Sequence, residues 1–247
     1  MRIHGITLDS CCSTNLSLVA AVSVVLAILV VAWTGARAAE DRRWLSLDGG
    51  SIEGSYPETT IGRWNLDTVL IDVKVPGVFV ETRETAKGLF QLAEVPGEDW
   101  LRAPGKPMVP EIVLLVACPE FDEVEVHCNV KESRRLNNHV PYPSPREVLR
   151  EGPGSDYVSE EFCLDDNVYS KDSWYPATLV DVLHVGRIRD QKVIWLGIHP
   201  VRYNGAQKEL VICSELEIEL GYVNPMVSPA MLGTGPFEEI SRRLIVG

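Results

Sequence analysis

Four histidines (His127, His139, His184 and His199) and four cysteines (Cys118, Cys128, Cys163 and Cys213) lie beyond residue 38. Thiol chemistry in this part of the chain would have to use them. His127 adjoins Cys128, which puts a base next to a nucleophile in sequence. Neighbouring side chains on a strand project to opposite faces, so the two cannot meet. The better reading is a core cysteine beside a surface histidine. A serine nucleophile has no G-x-S-x-G elbow here, no glycine-rich phosphate loop follows a strand, and H-E-x-x-H is absent. No C-x-x-C pair supports a zinc or redox site. Asp165-Asp166-Asn167 resembles a fragment of a calcium loop but lacks the glycine and the distal glutamate that such a loop uses, and reads as a solvated acidic loop. No metal and no cofactor is expected. Trp174-Tyr175-Pro176 and Pro200-Val201-Arg202-Tyr203-Asn204-Gly205 place aromatic rings at loop-to-strand junctions, either packed over the ends of sheets or forming a ridge for a partner.

The chain has 247 residues, of which 45% are hydrophobic, enough to build a packed core. With 35 acidic against 23 basic side chains and a net charge of −12, it lacks the basic surface of a general nucleic-acid binder. Residues 16–33 carry no charge and end just before Thr34-Gly35-Ala36-Arg37-Ala38, an A-x-A pattern. This is the sequence of a secretory signal with cleavage after Ala38; the alternative is a retained membrane anchor, because about 18 apolar residues approach the length of a bilayer span. Either way the remainder is expected outside the cytoplasm, secreted or in the cell envelope, touching the membrane only if the segment is kept. In that compartment the four cysteines could form two disulfides or stay free, and spacing does not choose between pairings.

Residues 39–65 show no periodicity and read as a flexible lead-in. Beyond them the pattern is repeatedly β. Val69, Ile71, Val73 and Val75 alternate with Leu70, Asp72 and Lys74, and Pro-Gly pairs close this strand and a later one over residues 89–95. The apolar run 112–118 fits a strand buried on both faces. Residues 123–130 alternate cleanly, and the short connector between the two suggests an antiparallel hairpin. Periodicity then lapses from residue 131 to 176, apart from a helical turn suggested around residues 145–150. It resumes over 178–188, 192–199 and 209–222, where Leu210, Ile212, Leu216, Ile218, Leu220 and Tyr222 share a face opposite four glutamates. Residues 237–246 could start a helix. Some eight strands without intervening amphipathic helices predict a mainly β fold, an antiparallel β-sandwich over residues 66–236 preceded by a signal peptide at 1–38.

Four segments in order resemble the propeptide of gingipain-type cysteine peptidases: Gly105-Lys106-Pro107-Met108-Val109-Pro110, Trp174-Tyr175-Pro176, the stretch 187–200, and Tyr203-Asn204. Phe237-Glu238-Glu239-Ile240 is similar to the family's closing stretch. Gly205 departs from the proline usual after Tyr-Asn, in a turn that glycine also suits. The resemblance implies a β-sandwich prodomain that helps a cysteine peptidase fold and blocks its cleft, with residues 237–247 starting the linker to a catalytic domain that holds the nucleophile. The implied partner is that catalytic domain, and no catalytic residue is inherited by this chain. An inhibitory segment would offer a basic side chain to an acidic pocket. Arg146 is the first candidate and Arg150 the second, both in the irregular stretch 141–154; Arg242 and Arg243 are the candidate processing site. The other reading is a secreted binding or adhesion module whose sandwich loops contact a protein or glycan.

Overall fold

The computed structural model describes residues 42–152 and 155–226. The signal segment with Ala38, the expected helix at 237–246, and Arg242 and Arg243 lie outside the described residues. The order opens with β1 (Arg42–Ser46), β2 (Glu58–Trp64), β3 (Thr68–Lys74), β4 (Gly77–Thr85), β5 (Gly88–Glu94), β6 (Asp99–Leu101), β7 (Val109–Ala117) and β8 (Glu123–Asn137). It continues with β9 (Arg146–Arg150), β10 (Tyr157–Glu161), the helix α1 (Asp166–Ser170), β11 (Trp174–Tyr175), β12 (Val180–Ile188), β13 (Gln191–Ile198), β14 (Val201–Asn204) and β15 (Glu209–Val223). The fold is mainly β and antiparallel, as the alternation predicts.

β15 is the spine of the largest sheet. Along one flank it pairs with β8 over its whole length, from Glu209↔Asn137 to Val223↔Glu123. The other flank is shared end to end, β14 pairing with residues 209–212 and β3 with residues 215–221. The handover falls at a bulge: Cys213 donates its N–H to Pro200, and Val75 donates to the Ser214 carbonyl. A bulge bends a strand and increases its twist, which lets one long strand serve two partners. The second sheet runs β12-β13-β7-β6. Ile71, Leu216, Ile218 and Leu220 from the first sheet and Ile112, Ile194, Leu196 and Ile198 from the second are all fully or almost fully buried in one apolar core. A smaller sheet, β1-β4-β5, and the hairpin β9–β10 complete the set.

Several expectations change. Residues 39–65 contribute two strands, β1 and β2. Trp44 on β1 packs edge-on to Phe79 at 5.0 Å, over the space that Gly77 leaves open. The expected hairpin of residues 112–118 with 123–130 does not form: β7 pairs with β13 and β6, β8 with β15. The connector steps between sheets. Cys118 donates to the Lys192 carbonyl on one side, while Glu120 and Asp122 donate to Met226 and Val223 on the other. Phe121 in this corner stacks on Tyr222 at 5.3 Å, with the Lys192 ammonium 3.5 Å from its ring centre. β7 is covered on one face only, leaving Val113 exposed. β8 runs on to Asn137, its charged second half lying at a sheet edge where charge is favoured. The four cysteines are free, with Cys118 and Cys213 buried.

Candidate functional site

The stretch expected to be irregular, residues 141–154, holds a strand. β9 pairs with β10 in an antiparallel hairpin, and residues 146–150 form no helical turn. The hairpin stands clear of the core: none of its residues is buried, and Leu149 and Val158, opposite each other across the ladder, are 69% and 62% exposed. An isolated two-stranded hairpin is marginal in water, so something other than burial must hold this one. Part of the answer lies along its length. Arg150 donates through Nε to Ser159 Oγ at 2.7 Å and through Nη2 to the Glu161 carboxylate, and Ser159 Oγ donates to the Val148 carbonyl at 3.2 Å.

The rest lies at its roots. Tyr142, just before β9, and Phe162, just after β10, both pack on Phe90 of β5, with ring centres 6.3 and 5.7 Å away. Tyr169 on α1 closes the cluster, 6.5 Å from Phe90 and 5.6 Å from Tyr203, and its hydroxyl donates to the Pro141 carbonyl at 2.8 Å. The backbone is tied as well. Tyr142 donates to Gln91, Ser144 donates to Lys106, and Gly105 donates to Ser144, each at 2.8 Å. Asp165 donates to Gly105 at 2.9 Å, and its side chain caps α1 by accepting from the Asn167 N–H. The acidic run 165–167 is therefore a helix start. Gly105 has φ +82°, a conformation that suits glycine, and a Cβ there would sit 3.1 Å from the Asp165 nitrogen.

Segments far apart in sequence thus meet beneath one arm. Gly105-Lys106 is its floor. Trp174-Tyr175 pairs with Asn204-Tyr203, while Arg202 donates to the carbonyls of Pro176 and Ala177. Gly205 lies against α1, where a Cβ would come within 2.3 Å of the Val168 carbonyl oxygen. The glycine that departs from the usual proline is the residue this close approach requires.

The arm treats its two arginines differently. Arg150, nearer the turn, is held by Ser159 and Glu161. The side chain of Arg146, nearer the root and opposite Glu161 in the ladder, makes no hydrogen bond or ion pair among the described residues and faces solvent. The exposed Leu149, Tyr157 and Val158 escaped sequence reasoning. The signal was slight, one valine with an apolar neighbour (Val148-Leu149, Tyr157-Val158) either side of Gly152-Pro153-Gly154, and proline and glycine around them masked it.

The buried thiols are shifted away from activation. Burial pushes Cys118 up to about 12 and Cys128 up to about 11, against the direction a nucleophile needs. His127 is exposed on β8 while Cys128 beside it packs against the core, as adjacent strand residues must. His199 is buried, its Nε2 3.3 Å from Asp181 Oδ2 and its Nδ1 3.9 Å from Glu111 Oε1. Among the described residues no group of three His, Cys, Asp or Glu side chains is arranged to hold a metal ion.

The described residues thus form a two-layer β domain that carries an anchored arm with exposed apolar side chains. The sequence matches the Propeptide_C25 family over residues 63–247, and the chain belongs to that family, the propeptides of gingipain-type cysteine peptidases. It is 25% identical over 149 residues to Lys-gingipain HG66 of Porphyromonas gingivalis, a match covering 56% of this chain and only 8% of that protein's length. In solved structures the fold is similar to a chain in a complex of the Porphyromonas gingivalis RgpB pro- and mature domains, with TM-score 0.65 and 16% identity over 77% of this chain and 98% of that one. It is also similar to a chain from a study of zymogenic latency in gingipain K of the same organism, with TM-score 0.55 and 18% identity over 74% of this chain and 99% of the other.

Proposed function

We propose that this chain is a latency domain: it binds the catalytic domain of a gingipain-type cysteine peptidase, assists its folding and obstructs its cleft. The observation that carries this reading is the β9–β10 arm, anchored by aromatic rings at its roots and exposing apolar side chains along its length. Exposed apolar surface on a fixed scaffold is what a docking element offers. The RgpB relative is described in complex with its mature domain, which fits the same role.

Within the arm, Arg146 is the side chain best placed to enter an acidic specificity pocket, since among the described residues it has no side-chain partner to give up. Arg150 would first have to leave Ser159 and Glu161. A guanidinium in a desolvated carboxylate pocket is strongly directional. Residues 1–38 act as the export signal in this reading, and Arg242 and Arg243 mark where the domain is cut from its peptidase. The test is inhibition of the gingipain-type peptidase from the source organism by the purified chain. Arg146→Ala should raise the inhibition constant tenfold or more, about 1.4 kcal/mol, and Arg150→Ala should do less. An unchanged constant for Arg146→Ala removes the pocket assignment, and no inhibition by the unmodified chain removes the latency reading.

A further inference from the structure

Among the described residues β12 forms a ladder only with β13, and the backbone groups of its other edge find no partner there. Along that edge Val182, Leu183 and Val185 are 36%, 49% and 38% exposed. Natural edge strands are normally blunted by charge, proline, a bulge or a cover. β8, the edge of the facing sheet, follows that rule with Lys131, Glu132, Arg134 and Arg135. The middle of β12 carries no charge or proline and follows it only through the bulge at Leu183, which lays that side chain over the space left by Gly197. His184 leans on Trp195 at 5.1 Å, so the polar ring is partly taken up as well.

The charges that flank this run are consumed inside the domain. Asp181 accepts from Thr178 Oγ1 at 2.7 Å and meets His199, and Arg187 pairs with Glu120 at 2.7 Å. Glu120 also exchanges both backbone hydrogen bonds with Met226, the last described residue. The last described residue is therefore fixed beside the end of β12.

We propose that the β12 edge is a second docking surface for the peptidase's catalytic domain, separate from the arm, and that it takes an apolar, uncharged strand or ridge of that domain alongside residues 182–185. The inference rests on the latency reading. The chemistry decides the kind of partner: with no charge between Asp181 and Arg187, and both of those already paired, the edge offers main-chain hydrogen bonds and apolar contact. The position decides which partner. A domain joined through the segment after Met226 is tethered at this end of β12, which raises its effective concentration there.

The experiment compares the full chain with Val182→Lys/Val185→Lys and with Arg146→Ala, against the source organism's gingipain-type peptidase at low and high salt. The double variant should weaken binding tenfold or more at unchanged Tm, and the loss should persist at high salt because the contact it removes is apolar. In the complex of the unmodified chain, amides of β12 should become protected from hydrogen exchange. Inhibition by the double variant equal to that of the unmodified chain, or β12 amides that exchange as before in the complex, overturns the proposal. Should the double variant lose Tm, Leu183→Asp and the exchange measurement on the unmodified chain decide it. Self-association through β12, abolished by the double variant while inhibition stays intact, assigns the edge to a second copy and also overturns it. If the unmodified chain neither binds nor inhibits, the latency reading falls and takes this surface with it.

Discussion

The β8–β15 pair and the β9–β10 pair are both antiparallel ladders, yet opposite forces hold them. In the first, β15 turns Leu216, Ile218 and Leu220 into the core with 1% exposure or less, and the apolar area removed from water does most of the work. In the second nothing is buried. The ladder survives because its two roots are clamped by Tyr142, Phe162 and Phe90, and because Arg150 crosses it to Ser159 and Glu161. A strand pair that keeps its apolar side chains in water without a core of its own must borrow rigidity from its base. That is how one chain keeps a stable centre and a surface still free to bind.

The largest effect expected from this contrast is in the core. Ile218→Ala should cost about 2–5 kcal/mol by thermal or denaturant unfolding, the lost transfer term plus a residual cavity. It should leave exchange in the arm unchanged at temperatures well below Tm. A smaller loss, within about 1 kcal/mol, would mean that β15 is not the structural spine described. Phe162→Ala comes next. Because Phe162 is partly exposed, it should cost less than the core substitution in global stability. Its specific signature is faster hydrogen exchange in residues 146–150 and 157–161. Equal protection with and without the ring would show that the clamp does not hold the arm. Arg150→Ala should be smallest, at most about 1 kcal/mol, because the pair is half exposed and screened by solvent. Its effect should shrink further with salt, and a salt-independent loss would point to packing instead of charge.

The parts of the fold that could be read from sequence are those where one side of a strand is buried. Residues 69–75 and 209–222 alternate because one face meets the core, and β3 and β15 stand where that alternation puts them. β9 and β10 are short and largely exposed, so burial imposed no period on their residues, while β1 and β2 are only partly buried and carry few apolar residues to mark one. The β7–β8 relation failed for another reason. A four-residue connector suits a hairpin, but it also suits a step between sheets, and the choice rests on Lys192, Val223 and Met226, all distant in sequence. The site was half legible. Arg146 and Arg150 were chosen for charge and position in an unpatterned stretch. The register sets Arg146 opposite Glu161, and only the side-chain contacts show that Arg150 takes that carboxylate instead.

The corner at Glu120 has a mechanical meaning. Met226 is stitched to it in both directions, and Asn224 Nδ2 donates to the Asp122 carboxylate at 2.8 Å, so the end of β15 cannot fray when pulled or severed downstream. A cut beyond that stitch would release an intact folded body instead of an unravelling tail. For a domain with the role proposed here, scission alone would not end inhibition. The severed piece would keep its grip, and activation would follow dilution or digestion of that piece, with a rate that depends on concentration.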